Sequence, residues 1–165
     1  MERKNVQIPA QDLERQQVFT GRIRARFEER QAHPLACVDT FGCQQNVADG
    51  QRLMGMLEQM GFGFTDRPEE ADLVILNTCA VREHAEDRVF GNLGALTHTK
   101  KENPEQVIAL CGCMAQEERV SERVKKSYPH VNLVFGPHAL WKFPELLWQV
   151  YESRRRVFSV AQEDG

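Results

Sequence analysis

Three cysteines in this sequence each follow a strand-like apolar run that is closed by a glycine or a polar residue. Cys79 ends the run Leu-Val-Ile-Leu-Asn-Thr-Cys, and Cys43 and Cys113 follow two similar runs that each end in glycine. Thiolates are the protein ligands of iron–sulfur clusters, zinc and other soft metals. Three thiolates without a fourth protein ligand would leave one coordination position open, as in catalytic zinc sites. The candidate chemistry is therefore metal or cluster binding at a reactive site.

The apolar runs determine whether these thiols can meet. Residues 73–76 are four consecutive aliphatic residues, two of them β-branched, which is typical of a central strand buried on both faces. In open parallel sheets, ligands bind in the crevice outside the carboxyl ends of the strands. If the three runs form parallel strands, Cys43, Cys79 and Cys113 converge at one edge of one sheet.

Strand-like and helical segments alternate along most of the chain. This pattern predicts an α/β fold with an open, doubly wound parallel sheet of flavodoxin-like or Rossmann-like type, helices on both faces and the site at the carboxyl ends of the strands. The predicted helices begin near Asn46, which suits an N-cap, after Cys79, at Met114 and at Pro144. The helix from Met114 is expected to run to Ser127.

The sequence divides into three parts. Residues 1–33 are read as a polar, partly ordered amino-terminal arm, in which a helix would present Leu13, Val18, Ile23 and Phe27 as its apolar points. Residues 34–151 form the folded domain, because His33-Pro34 marks an entry from extended chain. Residues 152–165 are read as the start of a linker to a further domain.

Composition narrows the class of protein. The formal net charge is −3, so the chain lacks the basic footprint of a nucleic-acid-binding domain, and any main RNA phosphate contacts are expected elsewhere. No segment has the length of a membrane span or the pattern of a secretory signal, which favours the cytoplasm. In that compartment five cysteines indicate metal binding or catalysis rather than disulfides.

Other residues near the runs have plainer interpretations. Cys37 and Cys111 lie within strands and are expected to be core residues, although Cys111 could also be a spare ligand or a redox partner. The histidines at 84, 98 and 138 lack ligand spacing and are expected at the solvated surface. The polar residues that border the cysteines could cap helices and turns, or could support a cluster from outside its ligand shell; they are Gln44, Asn46, Asn77, Thr78, Arg82 and Gln116.

Three separated segments carry a family resemblance. Residues 40–46 (Thr-Phe-Gly-Cys-Gln-Gln-Asn), 77–83 (Asn-Thr-Cys-Ala-Val-Arg-Glu) and 112–116 (Gly-Cys-Met-Ala-Gln) together resemble the amino-terminal domain of the radical S-adenosylmethionine methylthiotransferases. The tract 81–94 resembles the branch that acts on isopentenyladenosine in tRNA. Gln45 departs from the family, in which methionine is commoner.

The resemblance implies a specific function. Cys43, Cys79 and Cys113 would hold an auxiliary 4Fe-4S cluster with one iron free to bind sulfur or a methylthio group. A second 4Fe-4S cluster and S-adenosylmethionine would belong to a radical domain bearing a CxxxCxxC motif, which this sequence lacks. The enzyme would add a methylthio group to carbon 2 of the adenine, with an RNA-binding domain holding the tRNA. This chain alone would not turn over.

Two alternatives use the same residues differently. The chain could be a zinc-binding or thiol-redox module on a flavodoxin-like sheet, without radical chemistry. It could also be an interaction domain whose cysteines are simply core. Metal content separates the first alternative from the cluster hypothesis, and thiol reactivity tests the second, because buried structural cysteines are inert.

Overall fold

The structure is a computed structural model that describes residues 7–42, 44–79 and 83–160. In this part of the chain six strands form one fully parallel sheet, with the spatial order β2-β1-β3-β4-β5-β6. The strands are β1 (Leu35–Thr40), β2 (Gly63–Phe64), β3 (Leu73–Thr78), β4 (Val107–Gly112), β5 (Leu133–Phe135) and β6 (Val157–Ser159). The helices are α1 (Ala10–Glu29), α2 (Gln44–Gln59), α3 (Glu83–Glu102), α4 (Cys113–Gln116), α5 (Glu118–Ser127) and α6 (Phe143–Ser153). The predicted doubly wound α/β fold is confirmed.

Helices cover both faces of the sheet and enclose two cores. The first core includes Ile23 of α1, Leu53 and Leu57 of α2, and Leu147 of α6, and the second includes Val89 and Leu93 of α3 with Val120 and Val124 of α5. The side chains of β3 alternate between them, with Leu73 and Ile75 in the first core and Val74 and Leu76 in the second. An uninterrupted aliphatic run is what a strand buried on both faces requires.

Helix α1 packs on the domain through a face that the sequence predicted in part, since Ile23 is buried in the first core and Phe27 packs against it. Leu13 and Val18, expected as apolar points, are 47% and 52% exposed, whereas Gln16 and Thr20 are buried beside Ile23. Gln16 donates from Nε2 to Glu145 Oε1 at 3.1 Å, and its Oε1 accepts from the Glu145 main-chain N–H at 3.0 Å. The glutamine thus satisfies an otherwise unpaired N–H in the first turn of α6. Residues 10–29 form one regular helix on the domain surface, within the stretch that the sequence predicted to be a partly ordered arm.

Two predicted helix boundaries are wrong. Asn46 is not an N-cap, because α2 begins at Gln44 and places Asn46 inside the first turn. The helix expected from Met114 to Ser127 is two helices, because Glu117 adopts extended backbone with ψ 126° and separates α4 from α5. Both departures lie within about one helical turn after a predicted cysteine ligand, where the chain leaves the sheet edge.

Strand β6 lies in the stretch that the sequence assigned to a linker. It pairs in parallel with β5, and its preceding Arg156 donates to the carbonyl oxygens of Val124, Lys125 and Tyr128 at the end of α5, as well as to Val131. A guanidinium at the carboxyl end of a helix donates hydrogen bonds to the last carbonyl groups, and its positive charge interacts favourably with the helix dipole. Burial lowers the pKa of Arg156. The ordered sheet therefore extends through Ser159, while the domain boundaries at 34 and 151 remain predictions.

We expect Gln16→Ala to lower the free energy of unfolding by about 1–3 kcal/mol, because the Glu145 N–H loses its acceptor at the packed α1–α6 contact. Urea denaturation followed by circular dichroism measures the change. Gln17→Ala is the matched control, since Gln17 is an exposed glutamine on the same helix. Equal midpoints for the two variants would contradict this account of the α1–α6 contact.

Candidate functional site

The carboxyl ends of β1, β3 and β4 lie side by side. In the register of the sheet, Thr40 of β1 is opposite Asn77 of β3, which is opposite Cys111 of β4, and Thr78 is opposite Gly112. The three strands therefore end level with one another. Residues that follow them in sequence are brought to one edge of the sheet, as the sequence predicted for parallel strands.

This edge includes the topological switch point of the fold. Strand β1 connects through α2 to the first core face, whereas β3 connects through α3 to the second. Where neighbouring parallel strands send their chains to opposite faces, a crevice opens outside their carboxyl ends. The loop after β1 and Cys79 after β3 flank that crevice.

Gly42 brings the β1 loop against Cys79. Its φ of +130° favours glycine, and a Cβ at this position would stand 2.4 Å from Cβ of Cys79 and 3.5 Å from its Sγ. Cys79 is 7% exposed. Cys43, the residue after Gly42, lies outside the described residues. The chain that leads into Cys43 is thus in direct contact with Cys79.

Gly112 has the same role at the end of β4. Its φ is +99°, and a Cβ there would lie 2.1 Å from the main-chain oxygen of Thr78. The next residue, Cys113, begins α4 and is half-buried. A glycine before each of these two cysteines is therefore a steric requirement of close strand ends, beyond its role as a strand breaker.

Buried polar side chains tie the three strand ends together. Asn46 donates from Nδ2 to the Thr78 carbonyl at 2.7 Å, and Asn77 donates from Nδ2 to the Asn46 carbonyl at 2.7 Å. Thr78 donates from Oγ1 to the Cys111 carbonyl at 2.6 Å. These bonds connect the first turn of α2 to β3, and β3 to β4. We name these four residues the strand-end network.

The remaining polar candidates are placed differently. Gln44 is exposed at the first position of α2. Gln116 is half-buried at the end of α4, and its Oε1 lies 3.0 Å from the point where a Cβ on Gly136 would stand, after β5. Arg82 lies outside the described residues. Of the six predicted neighbours, Asn46, Asn77 and Thr78 are joined in one network.

Cys37 and Cys111 are buried in the two cores. Burial, with the nearby charge of Asp39 as a smaller cause, raises the pKa of Cys37 to about 11. Burial also raises the pKa of Cys111 far above its ordinary range, with a further contribution from the charge of Asp49. The Cys111 thiol donates to Asn77 Oδ1 at 3.7 Å. Both thiols are held protonated and are poor nucleophiles.

Sequence reasoning missed two groups at this edge. His138 was expected only at the surface; it is exposed, but its Nδ1 lies 3.1 Å from the point where a Gly136 Cβ would stand, next to Gln116. Arg88 of α3 places its guanidinium carbon 5.6 Å from the ring centroid of Phe41, the residue before Gly42. Gly136-Pro137 directly after β5 was the available signal for His138. The contact between Arg88 and Phe41 joins residues distant in sequence, so no local sequence pattern could have predicted it.

Among the side chains that the structure describes within residues 7–42, 44–79 and 83–160, no three histidine, cysteine, aspartate or glutamate residues are grouped so that they could hold a metal ion. Cys43, a member of the predicted trio, is outside that range. Over the same residues, none of the helices combines the length and apolar character that crossing a membrane would need.

Comparison with known proteins gives a family match. The model of the family described as Uncharacterized protein family UPF0004 matches residues 36–136, a range that contains all three strand ends and all three candidate cysteines. The match therefore coincides with the site rather than with the amino-terminal helix.

Curated relatives agree with the resemblance inferred from the three motifs. Proteins of Acetivibrio thermocellus and Clostridioides difficile are 45% and 44% identical to this chain over 99% of its length, and one of Thermoanaerobacter sp. strain X514 is 39% identical over 96%. Each is named tRNA-2-methylthio-N(6)-dimethylallyladenosine synthase. The chain spans about a third of their length, namely 35%, 35% and 33%. The predicted resemblance to the tRNA branch is confirmed.

We expect Gly112→Ala to destabilise the fold by at least about 1–3 kcal/mol, because backbone strain at positive φ adds to the clash with the Thr78 carbonyl. Thermal or urea unfolding measures the loss. Gly94→Ala is the control: Gly94 is in α3 with open space around it, so alanine should stabilise the helix by about 0.5–1 kcal/mol. If Gly112→Ala were as stable as the unchanged chain, the close approach of β3 and β4 described above would be wrong.

Proposed function

The chain belongs to the family described as Uncharacterized protein family UPF0004, and from this premise we propose that it is the cluster-binding domain of a tRNA methylthiotransferase. In this proposal the complete enzyme adds a methylthio group to carbon 2 of isopentenyladenosine next to the anticodon. The names of the curated relatives support the substrate and the reaction.

The cluster ligands in this proposal are Cys43, Cys79 and Cys113. The observation that carries it is the level ending of three adjacent parallel strands, with the residue before Cys43 in contact with Cys79 and the residue before Cys113 in contact with Thr78. Thiolate is the ligand chemistry of iron–sulfur clusters, so the donor set fits a 4Fe-4S group. When bound through three thiolates, such a cluster would supply an iron that is open to a sulfur ligand.

The protein's own contribution is to hold the three loops in place. The side-chain N–H of Asn46 and that of Asn77 are each directed to a main-chain carbonyl at 2.7 Å, and so is the Thr78 hydroxyl at 2.6 Å. One N–H of each amide and the Thr78 hydroxyl hydrogen are thereby used inside the protein. We therefore assign these residues to positioning the ligand loops.

The burial of the other two cysteines supports a ligand set of three. Cys37 and Cys111 are 6% and 2% exposed, and burial raises the pKa of both thiols, which opposes the thiolate form that a metal requires. The Cys111 thiol also donates a hydrogen bond to Asn77 Oδ1. It is thus an unfavourable substitute for Cys113, although only Gly112 separates them in sequence.

The complete reaction needs parts beyond this domain. A second 4Fe-4S cluster and S-adenosylmethionine would bind in a radical domain, and a separate RNA-binding domain would hold most of the tRNA. We propose residues 34–151 as the cluster domain, with 1–33 as an amino-terminal extension and with 152–165, which add strand β6 to its sheet, leading to the radical domain. The complete enzyme would act in the cytoplasm, where tRNA is modified.

The direct test is anaerobic reconstitution of the chain with iron and sulfide, followed by iron and zinc analysis and a visible spectrum. We expect about four irons per chain and broad absorbance near ~400 nm. Cys43→Ala, Cys79→Ala and Cys113→Ala should each lose the cluster, because each removes one of three ligands.

Cys37→Ala is the matched control and should keep its iron, since Cys37 is buried within β1 and faces the second core. Equal iron content in all four variants would contradict the ligand assignment. One tightly bound zinc without iron would instead favour the zinc-binding module. The absence of both metals from the unchanged chain would count against a cluster held by this domain.

A further inference from the structure

Phe41 lies at the rim of the proposed cluster site. It follows β1 directly, and its main-chain N–H donates to the Asn77 carbonyl at 2.8 Å, which holds it beside the end of β3. The next residue is Gly42, which is packed against Cys79. The half-buried ring of Phe41 packs on the second core. A group placed over this ring is therefore next to the proposed ligand loops.

The Arg88 guanidinium occupies that position. Its carbon atom is 5.6 Å from the Phe41 ring centroid, within the range of a cation–π contact. Arg88 is in the second turn of α3, the helix that follows Cys79, so it projects from the same edge of the sheet. The side chain is exposed and remains accessible to a ligand.

Among the residues that the structure describes, Arg88 differs from the nearby Arg119, which is paired with two carboxylates. Arg119 forms a bidentate pair with Glu86 and a further ion pair with Glu117 at 3.1 Å. The pKa of Glu86 is lowered, chiefly by its hydrogen bond from Arg119. Arg88 forms no ion pair with any residue in the described part of the chain. A cation with this exposure beside the site is available to an anionic ligand.

We propose that Arg88, held by the Phe41 ring, binds an RNA phosphate next to the nucleoside that is presented to the cluster. This inference rests on the proposed function, which supplies tRNA as the substrate class. The planar guanidinium offers a fork of N–H donors that matches a phosphate in a bidentate manner, and stacking on a ring limits its freedom before binding. The contact would position the substrate strand at the cluster edge, while the acidic domain as a whole contributes little non-specific attraction.

The chain contains a matched control for this contact. Arg123 of α5 also stacks on a phenylalanine, with its guanidinium carbon 3.8 Å from the Phe90 ring centroid, and it is also exposed. Phe90 is within α3 and does not adjoin a cysteine loop. Arg123→Ala therefore removes the same charge and a similar stacking contact without touching the rim.

The test is a fluorescence anisotropy titration of the reconstituted chain with a labelled RNA stem–loop that carries N6-dimethylallyladenosine in its loop. We expect Arg88→Ala to weaken RNA binding about tenfold, as for the loss of one desolvated, charge-assisted hydrogen bond. The slope of log K against the logarithm of the salt concentration should become shallower by about 0.7–1, as for the loss of one phosphate contact. Arg88→Lys should recover part of the affinity, because it keeps the charge but not the fork. Arg123→Ala should bind like the unchanged chain.

The inference is overturned if Arg88→Ala binds the RNA as the unchanged chain does, whether both bind or neither does. It is also overturned if Arg123→Ala loses as much affinity as Arg88→Ala, since the effect would then be one of net charge. Iron analysis of each sample keeps the two proposals apart. RNA binding that depends on Arg88 without any iron would refute the cluster assignment and leave the phosphate contact standing.

Discussion

The close approach of three strand ends is the constraint on which the rest of this site depends. Strands β1, β3 and β4 end level, and the chain turns out of the sheet through Gly42 and Gly112 at φ values that favour glycine. The buried amides of Asn46 and Asn77 must be paired in such a setting, and each bonds a carbonyl of a neighbouring segment. The close contacts at the two glycines and the hydrogen bonds of the buried amides thus hold the same three loops in place.

The sheet and its functional edge could be predicted because their signals are local. The aliphatic runs of β3 and β4 are long enough to require burial on both faces, and each is followed at once by a polar residue or glycine and then by a cysteine. Parallel pairing then follows from the alternation with helices. The runs do not encode the strand order, in which β1 lies beside β3 and Cys79 is at the switch point.

The parts that could not be predicted depend on partners distant in sequence. Gln16 and Thr20 interrupt the apolar pattern of α1, and the burial of Gln16 makes sense only once Glu145 is opposite it. Asn46 has the sequence position of an N-cap, but its amide is taken by the Thr78 carbonyl. The sequence around Arg156 is typical of a linker, and its structural role is evident only from its hydrogen bonds to carbonyl groups at the end of α5. In each case the polar group forms its hydrogen bond with a residue distant in sequence rather than with a neighbouring one.

The contrast between Cys111 and Cys113 shows why position, rather than cysteine count, decides the proposed ligand set. Cys111 is still in register within β4, so its side chain enters the first core, and burial raises the pKa of the thiol. Gly112 then turns the chain at φ +99°, and Cys113 leaves the sheet at the start of a new helix. A spacing of two would suggest a chelating pair in a loop. Here β4 ends between the two cysteines, so Cys111 is a core residue whereas Cys113 lies at the edge of the sheet where ligands bind.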